Sequence, residues 1–415
     1  SGSGALALTD GGLVEIAGSG GARIGQGADS VGSLAISGAD SQMRVLNGGV
    51  NLGFGGTGGL TVTDRGHLEV EGHIDVQVTP GGTQYTPING LRIGGDGGIA
   101  TLTVGKGGTV AAGLVMVSDF EINGSTTASV VLDGPGSEIV VSENLEVISG
   151  GTFTVSGGAQ LLTFADSALA TDPSREILAA DRIGTGISRS TMTVTDAGSQ
   201  WHSDNAIRIH TIGTINVENE AALYAREGIL VGMGRVKDLA GPSAILTVDN
   251  ATLVTDGDLD IANGGAWAKG AFTNGARIET TGVQMGTGSM TSGGVTYAAQ
   301  ADVLVSGAST KWTDNFVTGW NFFLGDSGQT TLTITDGAAV ETGNAVFVGR
   351  NEGRADVVVS GGGQFLTPAN IRLGESAEGT GTLLVTGTGS RVTTGNSIDI
   401  GVAGRGEVTV ADNGL

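Results

Sequence analysis

Apolar positions along this chain come in pairs one residue apart, with a glycine-containing break before the next pair. Leu60/Val62, Leu102/Val104, Met192/Val194, Leu246/Val248, Leu332/Ile334, Val357/Val359, Leu383/Val385 and Val408/Val410 belong to one such series. Alternation with a period of two puts both members of a pair on one face of a β-strand. Towards the C-terminus the second members fall at 334, 359, 385 and 410, in steps of 25, 26 and 25.

The turn after each pair has two forms. In TVTDRGHL and TITDGAAV an apolar residue follows six positions on, Val62 to Leu68 and Ile334 to Val340. In the other form the gap is seven, and a hydroxyl residue stands two places before the apolar one. Ser41 precedes Met43, Ser137 precedes Ile139, Ser199 precedes Trp201, Thr310 precedes Trp312 and Ser390 precedes Val392. A third segment reads apolar-x-apolar and closes on glycine, as in VNLG, LRIG, VFVG and IRLG. Asp and Gly at the turns supply side-chain-to-backbone hydrogen bonds and positive φ.

Three short strands in a period near 25 predict a parallel β-helix, in which each copy is one coil roofing the one before it. A propeller blade needs about 40 residues or more, and a leucine-rich repeat would carry its Asn/Cys ladder. Helical repeats are excluded by the glycine and β-branched content. The expected fold is all-β: about fifteen three-stranded coils, stacked at ~4.8 Å into a rod roughly 70 Å long. Inward and outward positions then separate Val359, whose change to Asp disrupts several coils, from Asp356, whose change to Asn is nearly silent.

Irregular spacing marks departures from the repeat. One elongated domain spanning 1–415 is expected, with insertions near 77–90, 165–188, 262–271 and 286–300. Asp172-Pro173 followed by SREILAADRI predicts a helix start. Loops on a rigid scaffold are favoured places for binding. The chain opens and closes inside a repeat and lacks a signal peptide's basic and apolar regions, as expected of a piece cut from a longer protein.

Composition narrows the partners. Glycine contributes 77 of 415 residues, proline 6, and aromatics only 4%, in keeping with many short strands and tight turns. The net charge of −22 repels nucleic acid and anionic lipid, whose phosphates need Lys and Arg clusters. Having no cysteine, the chain has no disulfide, thiol chemistry or Cys-type zinc site. No apolar run reaches the ~18 residues of a membrane helix, so no membrane insertion is expected.

No catalytic constellation stands out. His67, Glu69, Glu71 and His73 of HLEVEGH share one parity but would spread over ~20 Å along a strand, too far for one ion. GGDGGIATL (94–102) holds one altered copy of a calcium-repeat motif that works only in tandem. No G-x-S-x-G elbow occurs, and carboxylate pairs cannot be read from sequence. No catalytic residue, metal ligand or cofactor is predicted. Trp201 and Trp312 occupy one repeat position and are expected to fill the bore. Tyr85, Trp267 and Tyr297, in irregular segments, and Trp320, beside two phenylalanines, are the candidate binding residues.

LTVTDRGHLEV (60–70), MTVTDAGSQW (192–201), VLVSGASTKW (303–312) and LTITDGAAVETGNAVFVG (332–349) resemble the passenger repeats of bacterial type V autotransporters, and the resemblance spans most of the chain. It implies a right-handed β-helix, exported through the outer membrane to the surface of a Gram-negative cell by a C-terminal barrel. It implies an adhesive or self-associating role, with host-cell surface molecules or the same protein on neighbouring cells as partners. Two alternatives stand beside the adhesin: a polysaccharide-processing β-helix enzyme and a fragment of a secreted toxin. Open coil ends also predict end-to-end self-association.

Overall fold

The paired apolar residues form the first strand of each coil, and both members point inward. In the computed structural model, residues 2–71, 74–79, 82–87, 90–118, 126–164, 180–184, 188–210, 212–233, 242–292, 294–315 and 321–415 are described. Strand Gln329–Thr335 buries Thr330, Leu332 and Ile334 and leaves Gln329 and Thr331 exposed. It pairs in parallel with Gln300–Ser306 on one side and Arg354–Val359 on the other, so that Val303, Leu332 and Val357 lie in one row. The second and third segments behave alike: Val340 lies between Trp312 and Phe365, and Val348 between Leu324 and Leu373. The fold is all-β, a parallel β-helix, with no helix among the described residues.

The chain divides into two units, residues 1–205 and 206–415. Among the described residues the first unit contains seven strands of the first face, from Ser3–Leu8 to Ser190–Thr195. The second contains eight, from Gly213–Glu218 to Arg405–Ala411. In the first unit Thr109–Val117 and Glu138–Val147 run through both the second and third faces, with a register shift between Ala112 and Leu114.

Each turn form has its own chemistry. In TD-type turns Asp64, Asp336 and Asp412 adopt positive φ of 51°, 54° and 51°. Their carboxylates accept from Ser37 (3.0 Å), Ser306 (2.7 Å) and Thr386 (3.0 Å), each at the end of the preceding coil's first strand. In the other form the buried hydroxyl accepts the N–H of a turn glycine in the preceding coil. Ser41, Ser137, Ser199, Thr310 and Ser390 accept from Gly11, Gly107, Gly158, Gly275 and Gly362 at 2.9–3.1 Å. A hydroxyl coil therefore roofs a glycine-turn coil, which explains why both forms persist in the sequence.

Thr310 also donates to the Ser306 carbonyl at 2.7 Å and is 1% exposed. Thr310→Val keeps the shape and takes this partner from the partly buried Gly275 N–H and Ser306 carbonyl. We expect a loss of about 1–3 kcal/mol, read from the denaturant midpoint of the second unit, with Thr310→Ser close to wild type.

The bore is apolar and tightly filled. Phe272, Trp312, Phe322 and Phe365 form a string within the second unit, with centroids 5.1, 5.5 and 6.2 Å apart. Trp201 and Trp312 are fully buried. Their indole N–H groups donate to Thr163 and Thr280 of the preceding coil at 3.3 and 3.1 Å, so a polar atom in the bore is satisfied without water.

Two expected insertions are corrected. Residues 262–271 do not leave the coil: Trp267–Thr273 is an in-register first strand between Ala244–Asp249 and Gln300–Ser306. The anchor pair there is Gly270/Phe272, and a glycine at an anchor hides the alternation on which the sequence reading relied. Within 165–188, Ala180–Ile183 is a third strand pairing Arg182 with Glu146 and Ile183 with Val147. Its DRIG is the usual third-segment closure. The remainder of that segment, including the expected helix start, lies outside the described residues. At the other two places the chain forms antiparallel hairpins outside the parallel ladders, Ile74–Thr79 with Gly82–Pro87 and Ser289–Ser292 with Val295–Ala298.

Candidate ligand-binding face

The outward positions of the first strands form rows along the second unit, one side chain per coil. One row reads Trp267, Gln300, Gln329, Arg354, Thr380, Arg405. The next reads Lys269, Asp302, Thr331, Asp356, Thr382, Glu407. A third, Ala271, Leu304, Thr333, Val358, Leu384, is mostly aliphatic. Parallel pairing makes the axial repeat of each row ~4.8 Å. Amides, carboxylates, hydroxyls and guanidinium groups therefore recur at a fixed pitch beside an apolar strip.

These polar side chains hold one another in place. The Trp267 indole N–H donates to Asp302 Oδ2 at 2.6 Å, and Gln300 Nε2 donates to the same oxygen at 3.4 Å. Asp356 accepts from Thr382 Oγ1 at 2.6 Å and from Arg354 Nε at 3.1 Å. Between the two carboxylates lies a recess of about 50 Å³, lined by Gln300, Asp302, Gln329, Thr331, Arg354 and Asp356 among others. Trp267 is half-buried, so part of it faces solvent, on the third of the unit's eight first strands.

Of the four expected binding residues, Trp267 opens this face. Tyr297, half-buried, is in the hairpin Ser289–Ala298. A Cβ on Gly265 would meet the Tyr297 carbonyl at 2.9 Å and Met290 Cβ at 3.1 Å; the hairpin therefore folds back on the turn that leads into Trp267. Tyr85 is in the hairpin Ile74–Pro87 of the first unit, opposite Val76. Trp320 lies outside the described residues. Sequence reasoning missed Gln300, Asp302, Gln329, Arg354 and Asp356. The signal was present in the polar residues interleaved with the apolar pairs, but only the register brings them into rows.

In HLEVEGH, His67 Nδ1 lies 2.7 Å from Thr109 Oγ1, and Glu69 accepts from Arg44 Nε at 2.7 Å; Leu68 and Val70 point inward. These are ladder contacts between coils, and His73 lies outside the described residues. Among the described residues no group of three or more His, Asp or Glu side chains is placed to hold a metal ion. A recess of about 500 Å³ is the open apolar bore of the first coil, lined by Leu6, Val14, Ile24, Leu34 and Met43 among others.

Asp181, unread from the sequence, is fully buried in the first unit. Its carboxylate accepts from Thr163 and Ser203 hydroxyls at 2.5 and 2.6 Å, the Leu145 N–H at 3.0 Å and Asn205 Nδ2 at 3.5 Å. Burial pushes its pKa up against the opposing pull of those donors. With every donor drawn from the surrounding coils and no exposure, it is a structural plug.

Asp260 lies on the outer side of the third face, between Leu230 and Gln284. Burial first and repulsion from Asp258 second push its pKa up to about 7. A carboxyl whose folded pKa is raised binds its proton more tightly folded than unfolded. It favours folding at low pH, and this contribution is lost as pH rises from the ordinary range near 4 through about 7. We expect Asp260→Asn, neutral throughout, to flatten that decline, so that the variant gains melting temperature over wild type at pH 8 relative to pH 5.

No protein-family model matches the chain. Nor does any curated protein match it.

Proposed function

We propose that the chain is a surface-exposed passenger of a Gram-negative autotransporter, acting as a non-catalytic adhesin towards host-cell molecules or neighbouring cells. The observation that carries this reading is the outward face of the second unit. It is a register-locked array of donors and acceptors that includes a partly open tryptophan, with a hairpin folded against the turn that leads into it. Such an array offers many weak, simultaneous contacts to an extended partner, and the parallel ladders hold it rigid, so little side-chain freedom is lost on binding.

Display of the chain on a non-adherent bacterium tests it. Displaying cells should attach to epithelial monolayers or clump, and deletion of 289–298 should weaken this while the β-sheet circular dichroism is retained. Cells that behave like empty-vector controls would exclude the adhesin. The polysaccharide-processing alternative has one observation in its favour. Asp302 and Asp356 are two coils apart, roughly 10 Å along the row, near the separation of an inverting carboxylate pair. Shortening of a glycan chain on incubation would establish it.

A further inference from the structure

We infer that the outer first face of the second unit binds an uncharged polysaccharide chain laid along the coil axis, with Trp267 as its stacking platform. This names a ligand class for the face that the adhesin reading rests on. The recess between Asp302 and Asp356 is shallow and polar; it suits a hydroxyl or hydroxymethyl group, and is too small for a whole ring. Gln300, Gln329 and Arg354 offer planar donors and acceptors at successive coils, the geometry that takes up adjacent ring hydroxyls. The coil pitch of ~4.8 Å is close to the advance of one pyranose in an extended chain, so neighbouring rungs meet chemically equivalent groups. The aliphatic row through Leu304 and Val358 runs alongside and can cover the apolar faces of the rings. Trp267, fixed by its bond to Asp302, needs no reordering to stack.

Charge selects within polysaccharides. Acidic residues outnumber basic ones by 42 to 20 over the chain, and the recess is lined by two carboxylates, Asp302 and Asp356, against one guanidinium, Arg354, so uronate or sulfate groups are disfavoured there. A nucleic acid or an acidic peptide is disfavoured on the same ground.

Affinity electrophoresis of the 415-residue protein tests this in gels containing a soluble glucan, mannan or galactan, with carboxymethylated glucan as the anionic counterpart. At least one neutral polymer should retard the protein. Trp267→Ala and Gln329→Ala should each weaken retardation, the first by at least about tenfold, as for a truncated tryptophan anchor. Trp267→Phe should recover part of the loss, because the ring remains. Gln329 is exposed, so its variant folds even if Trp267→Ala does not. Glu341→Ala, on the second face, should match wild type. Retardation by none of the neutral polymers, by the carboxymethylated polymer alone, or undiminished in Gln329→Ala or in a folded Trp267→Ala would overturn the inference. Displaying cells that adhere although the purified protein binds no neutral polymer would sink the inference and leave the adhesin standing. Polymer binding without adhesion would do the reverse.

Discussion

Val359→Asp should unfold several coils of the second unit, with a loss of roughly 5 kcal/mol or more. Val359 is fully buried and sits in the inner row between Ile334 and Val385. Removing the side chain forfeits about 1.5–3 kcal/mol of burial. The new carboxyl must either ionise in an apolar bore, which is far costlier, or stay protonated with its hydrogen-bonding groups unpaired, at about 1–3 kcal/mol each. In a stacked repeat each coil is stabilised by its neighbours, so the damage spreads beyond one turn. Asp356 is three residues away on the opposite side of the same strand. Asp356→Asn keeps an oxygen to accept from Thr382 and should change stability by less than about 1 kcal/mol. Thermal unfolding followed by circular dichroism compares the two. Equal losses would show that the inward and outward assignment is wrong.

The fold was legible because two signals coincided. The alternation of Leu332/Ile334 or Val357/Val359 gave the strand and its buried face, and the step of 25 or 26 residues gave the coil. The reading failed where one residue broke the alternation. Gly270 stands between Leu246 and Val303 in the inner row, so 262–271 reads as an insertion although the strand Trp267–Thr273 runs through most of it. The hydroxyl of Ser41 or Thr310 was visible as a pattern, but its task, accepting a glycine N–H some thirty residues back, depends on coil register.

The same limit applied to the candidate site. Trp267 drew attention as an aromatic in an irregular segment. Asp302 and Asp356 did not, since any carboxylate between two apolar anchors is an ordinary solvated position until stacking sets it beside a glutamine and an arginine. Asp181 was hidden for a related reason. Its donors come from residues 145, 163, 203 and 205, and no spacing in the sequence announces that they meet.

Gly349→Ala should be nearly as damaging as the buried aspartate, and two companion variants separate its causes. Gly349 closes a third strand at φ 73°, and a Cβ there would collide with the Thr380 carbonyl and the Gly381 N–H of the next coil. The first inward position of that coil is small throughout this region, with Ala301, Ala355 and Gly381 in one row with Thr330. The closing glycine and this small residue together let consecutive coils approach. We expect about 3 kcal/mol or more from left-handed strain plus overpacking. Gly387 also has positive φ, 85°, but a Cβ there makes only ordinary contacts, so Gly387→Ala should show the strain alone, about 1–2 kcal/mol. Ala262 occupies the closing position of its own coil at φ 65° and already bears that strain. Ala262→Gly should therefore raise stability, by up to about 1 kcal/mol. Denaturant midpoints should place the variants in the order Ala262→Gly, wild type, Gly387→Ala, Gly349→Ala. If Gly349→Ala matched Gly387→Ala, close approach of the coils would not be what the closing glycine provides.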